Sequence, residues 1–130
     1  MELGLIGLGK MGANMARRLS RGGHRVVGYN RSPEVAYALA DEEANVVAVD
    51  SSEDLVDALS SPRAAWSMVP AGGPTDGVIS SLVELLEPGD IIVDGGNSNY
   101  KDTLRRAELV SSRGLHFVDV GVSGGIWGLE

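Results

Sequence analysis

A chain of 130 residues with 43% hydrophobic residues is long enough to bury one core, and we read residues 1–130 as a single domain. A formal net charge of −7 excludes a non-specific nucleic-acid binder, which needs a basic face to displace counterions from phosphates. With no cysteine there are no disulfides or thiolate metal sites, and His24 and His116 stand too far apart to suggest a local metal motif. The opening MELGLIGLG places an acid where a signal peptide carries a base, and no apolar run approaches the roughly 20 residues of a membrane span. These features lead us to expect a cytoplasmic protein with no membrane partner.

In chain order, Leu3 to Ile6 is the first strand candidate. The following segment carries Met11, Met15 and Leu19 at every fourth residue, with Arg17, Arg18 and Arg21 on other faces and Gly22-Gly23 as a stop. That is an amphipathic helix with its apolar stripe on the methionines. Arg25 to Tyr29 is the second strand, and Pro33 fits the first turn of the helix after it. Val46 to Val49 is the third strand, and Ser51 with Asp54 three residues on marks another helix start. Ala64 to Val69 is the fourth strand, which Pro70 forces out of the sheet. Ile91 to Val93 is the fifth. Asn99, with Asp102, caps a helix whose apolar stripe is Tyr100, Leu104, Ala107 and Val110, leaving Lys101, Asp102, Arg105, Arg106 and Glu108 on the other faces. Phe117 to Val120 closes the series.

Near-continuous apolar strands alternating with helices predict an α/β fold: a doubly wound, mostly parallel sheet covered on both faces, with ligands at the carboxyl ends of the strands. Glu130 follows a glycine-rich turn, and a further element is expected beyond it.

Gly7-Leu8-Gly9-Lys10-Met11-Gly12 lies where a strand gives way to a helix, the context that a Rossmann-type dinucleotide fingerprint requires. Gly7 permits the turn, Gly9 lets the backbone approach a pyrophosphate, and Gly12 allows the helix to pack on the strand. The pyrophosphate would lie against the N–H groups at the positive end of the helix. At the end of the second strand an acid would bond the ribose 2′-hydroxyl of NAD and repel a 2′-phosphate. Here stand Asn30, Arg31 and Ser32, an uncharged residue, a guanidinium fork and a hydroxyl, which favour NADP over NAD.

Two further loops fall on the ligand side. Val69-Pro70-Ala71 opens a glycine- and proline-rich exit that would cover a nicotinamide, or simply turn. Asp94-Gly95-Gly96-Asn97 follows the fifth strand; Asn97 offers both a donor and an acceptor to a carboxamide or a substrate hydroxyl, or serves only as a helix cap, while Asp94 organises the loop. Ser123, Gly124 and Gly125 form a third glycine turn, a nest able to hold an anionic group.

Taken together, GLGKMG, NRS, VPAG, DGGNSNYKDT and GVSGG resemble the N-terminal portion of the decarboxylating 6-phosphogluconate dehydrogenases over essentially the whole chain. DGGNSNYKDT is the most specific element, and Asn30-Arg31-Ser32 looks like the NADP-using branch of that family. The resemblance implies oxidation of 6-phosphogluconate by hydride transfer to NADP, then loss of carbon dioxide to give ribulose 5-phosphate, a step of the pentose phosphate pathway and of gluconate utilisation. It implies that Asn97 and the run Ser123-Gly124-Gly125 touch substrate, with Asn97 also near the nicotinamide. The family's catalytic lysine and glutamate, and the helical domain through which its members dimerise, correspond to nothing in this segment. No catalytic residue is therefore assigned within the chain beyond a supporting role for Asn97, and the 130 residues alone are expected not to turn over. A β-hydroxyacid dehydrogenase domain and a non-catalytic NADP-binding module are the alternatives, and DGGNSNYKDT argues against the first.

Overall fold

The computed structural model describes residues 1–70, 72–96 and 99–120. Six parallel strands, β1 (Glu2–Ile6), β2 (Arg25–Tyr29), β3 (Val46–Ala48), β4 (Ala64–Ser67), β5 (Ile91–Asp94) and β6 (His116–Asp119), form one sheet in the order β3-β2-β1-β4-β5-β6. Five helices connect them: α1 (Lys10–Arg21), α2 (Pro33–Glu42), α3 (Ser52–Asp57), α4 (Gly73–Leu85) and α5 (Tyr100–Ser112). The chain runs outward from β1 to β3, then crosses back to β4 on the other side of β1. The carboxyl ends of β1 and β4 therefore diverge into separate connections, and a crevice opens between them.

Successive residues of a strand point to opposite faces, so the paired apolar residues supply two cores. Leu5, Val26 and Val46 pack with Ala13, Ala16, Ala36 and Leu39 of α1 and α2. Ile6, Val27, Ala65 and Ile92 pack with Leu55, Ile79, Leu82 and Val110 of α3, α4 and α5. This two-sided burial is what the unbroken apolar runs predict. It fails at the margin: three of the four residues of β6 are exposed, because β6 is the edge of the described sheet.

Local signals hold where hydrogen bonds are local. Ser51 Oγ accepts from Asp54 N–H at 3.0 Å, and Asn99 Oδ1 accepts from Asp102 N–H at 3.0 Å while its Nδ2 donates to Asp102 Oδ2 at 2.9 Å. Pro33 begins α2. α4, for which no strong periodic stripe marks the sequence, also has a proline in its first turn.

Two helix faces depart from expectation. In α1 the buried residues are Gly12, Ala13, Ala16 and Ser20, with Met11, Met15 and Leu19 only half-buried beside them. The helix lies so close to the sheet that only small residues fit between, and the long side chains flank the seam. In α5 the buried residues are Arg106 and Val110, whereas Tyr100 is 77% and Leu104 51% exposed. The expected apolar stripe on Tyr100 and Leu104 is corrected by this: a buried arginine turns the helix, for reasons that lie in its partners.

Because Ala16 is fully buried in the α1–sheet seam, Ala16→Leu should destabilise the chain by about 1–3 kcal/mol through overpacking. Urea unfolding followed by circular dichroism measures this, with Leu19→Met as a half-buried control of small effect.

Candidate dinucleotide site

The glycine-rich turn joins β1 to α1 through a contact that only glycine allows. Gly7 has φ +97°, and a Cβ on Gly12 would stand 2.0 Å from the Gly7 carbonyl oxygen. Gly9 differs: it has ordinary extended backbone, and a Cβ there would meet nothing within 4 Å. Gly7 and Gly12 thus shape the turn, while Gly9 borders open space.

That space is a cleft of about 850 Å³ along the carboxyl ends of β2, β1, β4 and β5. Gly7, Gly9, Lys10, Met11 and Gly12 form its floor. Asn30 and Arg31 stand at one end, Val69, Pro70, Gly95 and Gly96 at the other. α1 points its N-terminus into the cleft with no side-chain cap and no acid in its first turn, and no described group accepts the N–H groups of Lys10, Met11 or Gly12. Orphan donors at the positive end of a helix attract anions, and an open floor at Gly9 lets one come close. The residues present therefore fit a pyrophosphate.

Leu8 and Ser32 do not line the cleft. Leu8 is buried in the core beside α1, and its N–H donates to Asn30 Oδ1 at 2.8 Å, so this amide is not free for a phosphate. Asn30 Nδ2 in turn donates to the Ser32 carbonyl at 3.2 Å. The asparagine therefore ties the end of β2 to the glycine turn and holds the following residues in place. Ser32 is exposed at the N-cap of α2 without a side-chain capping bond. Ala71, Asn97, Ser123, Gly124 and Gly125 lie outside the described residues.

Arg31 is exposed at the cleft and makes no hydrogen bond or ion pair with the described residues. Most arginines here are engaged: Arg17 with Glu42, Arg21 with Glu43, Arg25 with Glu2, Arg63 with Asp90, Arg105 with Asp76 and Arg113 with Glu84. A guanidinium left facing a cleft beside an uncharged residue is placed to receive an anion.

The wall at the far end is built on Asp94, which is fully buried. Its Oδ1 accepts from Gly96 N–H at 2.9 Å, and its Oδ2 faces Arg106 Nη1 at 3.4 Å. Arg106 also donates through Nε to Asp76 Oδ1 at 2.8 Å and through Nη2 to the Gly72 carbonyl at 3.2 Å. The hydrogen bond from Arg106, with a further contribution from Arg105, holds the Asp76 carboxyl below its usual range. Helical periodicity alone puts Arg106 on a polar face of α5, because its partners Asp94, Asp76 and Gly72 lie 12, 30 and 34 positions away, beyond any local signal. Pro74, which ends the glycine- and proline-rich exit after β4, lines the cleft together with Gly77, Val78 and Ser81 of α4, three residues that no sequence motif marks. Spacings of three, four and seven residues from Pro74 put them on one helical face, a pattern legible once α4 is known.

Among known proteins, the family described as the NAD binding domain of 6-phosphogluconate dehydrogenase matches residues 2–130. The chain belongs to this family. It is 46% identical over 127 residues to the decarboxylating 6-phosphogluconate dehydrogenase of Synechococcus elongatus, and 42% identical over 125 residues to that of Bacillus licheniformis. Each match covers 95% of this chain but 27% of the relative, so the chain spans about a quarter of the length of these curated proteins. Among solved structures, Plasmodium falciparum 6-phosphogluconate dehydrogenase, determined in its apo form and with NADP+ or 6-phosphogluconate, superposes with TM-score 0.91 at 33% identity, covering 99% of this chain and 28% of that one. Mycobacterium tuberculosis 3-hydroxyisobutyrate dehydrogenase superposes with TM-score 0.84 at 26% identity, covering 96% of this chain and 41% of that one. The family thus supplies what the cleft is built to hold, a dinucleotide.

The two glycines should separate under mutation. Gly9→Val should leave the fold intact and abolish dinucleotide binding, because its side chain enters only the cleft. Gly12→Val should cost about 3 kcal/mol or more in stability, because it drives into a backbone carbonyl. Thermal unfolding and calorimetric titration on both variants check this. Dinucleotide affinity retained in folded Gly9→Val would remove the phosphate role from the turn.

Proposed function

We propose that the chain is the NADP-binding part of a 6-phosphogluconate dehydrogenase, and that the protein carrying it converts 6-phosphogluconate to ribulose 5-phosphate with reduction of NADP. The observation that carries the cofactor preference is Arg31: exposed, at the cleft, unpaired among the described residues, and preceded by an asparagine in place of an acid. Asn30 supports the preference indirectly. Its amide both accepts from Leu8 and donates to Ser32, an arrangement that a carboxylate could complete only in part, and it adds no negative charge beside a 2′-phosphate.

In this reading Gly7, Gly9 and Gly12 shape the pyrophosphate seat, and Lys10 and Met11 contribute amides and lining. Arg31 receives the 2′-phosphate, with the Ser32 hydroxyl as a second donor. Val69 and Pro70 border the nicotinamide half, and the roles assigned to Ala71 and Asn97 are contact with the cofactor and, for Asn97, with substrate as well. Ser123, Gly124 and Gly125 belong to the substrate side. When bound, NADP supplies the hydride acceptor; the chain's own residues hold and orient it and exclude water from one side of it. The general base and acid of the reaction are assigned to no residue here. The wider reading is of a cytoplasmic homo-oligomeric enzyme of the pentose phosphate pathway and gluconate utilisation. Identity of 46% to a 6-phosphogluconate dehydrogenase, against 26% to a 3-hydroxyisobutyrate dehydrogenase, favours the phosphorylated sugar acid over a simpler β-hydroxyacid.

Calorimetric titration tests the cofactor assignment. The chain should bind NADP about ten- to a hundredfold more tightly than NAD, and Arg31→Ala should erase most of that difference while leaving NAD affinity nearly unchanged. Equal affinities in the wild-type chain, or a preference for NAD, would refute it.

A further inference from the structure

The cleft has a direction. A dinucleotide with its 2′-phosphate at Arg31 and its pyrophosphate at the N-terminus of α1 must send its other half toward the carboxyl ends of β4 and β5, where Val69, Pro70, Gly95 and Gly96 line the space. Those two loops touch. A Cβ on Gly96 would lie 2.6 Å from the Val69 carbonyl oxygen, and one on Gly95 would lie 2.4 Å from Trp66 Nε1. Thr75 Oγ1 donates to the Pro70 carbonyl at 2.8 Å, tying the first loop to α4.

Arg106 sits behind this wall, 1% exposed and outside the cleft lining. Its guanidinium spans both loops: Nη2 reaches the Gly72 carbonyl, Nε reaches Asp76 in the first turn of α4, and Nη1 faces Asp94, whose other oxygen holds the N–H of Gly96. We propose that Arg106 is a positioning residue, a buried clamp that fixes Gly72 and Asp76 at the start of α4 relative to Asp94 and Gly96 at the end of β5 and so shapes the seat for the nicotinamide half of the bound dinucleotide. This rests on the cofactor reading above.

A buried arginine and aspartate are a costly way merely to fill space, since apolar residues of similar volume pack there without desolvating two charges. The guanidinium supplies donors in three fixed directions at once, which an ammonium on a flexible stem does not. The clamp also stands apart from the parts of the site that hold the adenosine half, which are Arg31, Asn30 and the glycine turn.

That separation defines the experiment. Titrations of NADPH and of adenosine 2′,5′-bisphosphate, which lacks the nicotinamide half, are compared on the wild-type chain, Arg106→Lys and Asp76→Ala. Arg106→Lys should weaken NADPH about tenfold and Asp76→Ala about threefold, with affinity for the bisphosphate within about twofold of wild type. Asp76 is 39% exposed, so its variant reads out the clamp even if Arg106→Lys does not fold. Parallel losses for both ligands, or no loss for either, would overturn the clamp and leave the cofactor reading standing. A wild-type chain that binds neither ligand would overturn the cofactor reading and the clamp with it.

Discussion

The missing side chain at position 12 governs the ligand end of this domain. With a Cβ there only 2.0 Å from the Gly7 carbonyl oxygen, any other residue would lift the N-terminus of α1 away from the carboxyl end of β1. Three consequences follow from that close approach. The uncapped N–H groups of the first turn face the crevice between β1 and β4, the buried face of α1 is restricted to Gly12, Ala13, Ala16 and Ser20, and Gly9 is left bordering open space. A helix standing farther from the sheet would offer neither the donors nor the floor that a pyrophosphate needs.

Two polar ties hold the ends of the cleft to this centre, and they differ in kind. At the β2 end a neutral amide does the work: Asn30 joins the Leu8 N–H to the Ser32 carbonyl, leaving the Arg31 guanidinium exposed beside it. At the β5 end the tie is charged and buried, running from Gly72 and Asp76 through Arg106 to Asp94 and Gly96. The exposed arginine is available to a ligand, and the buried one is committed to the protein.

Features set by short-range chemistry were legible in the sequence. The six strands show in the sequence as local apolar runs, and the caps at Ser51 and Asn99, the proline at the start of α2 and the strand-to-helix setting of the glycine turn rest on residue types within a few positions of one another. The faces of α1 and α5 were not, because each is decided across the fold. In α1 the closeness of the sheet selects alanines over methionines, and in α5 two distant aspartates draw Arg106 inward against its ordinary preference for water. The site was legible in the same measure. Gly7, Gly9, Gly12, Asn30 and Arg31 announced themselves by type and spacing, but that the Leu8 amide is taken by Asn30, and that α4 lends one face to the cleft, emerges only when the elements are assembled.

A dinucleotide held in this cleft is expected to lay its pyrophosphate at the N-terminus of α1. For a chain of 13.6 kDa, backbone amide shifts followed by NMR during titration with NADP test this directly. The largest shifts should fall on Gly9, Lys10, Met11, Gly12 and Ala13, with a second group at Arg31 and Ser32. Shifts confined to other parts of the surface, such as β6 and the exposed face of α5, with the Gly9 to Ala13 amides unmoved at saturation, would contradict it.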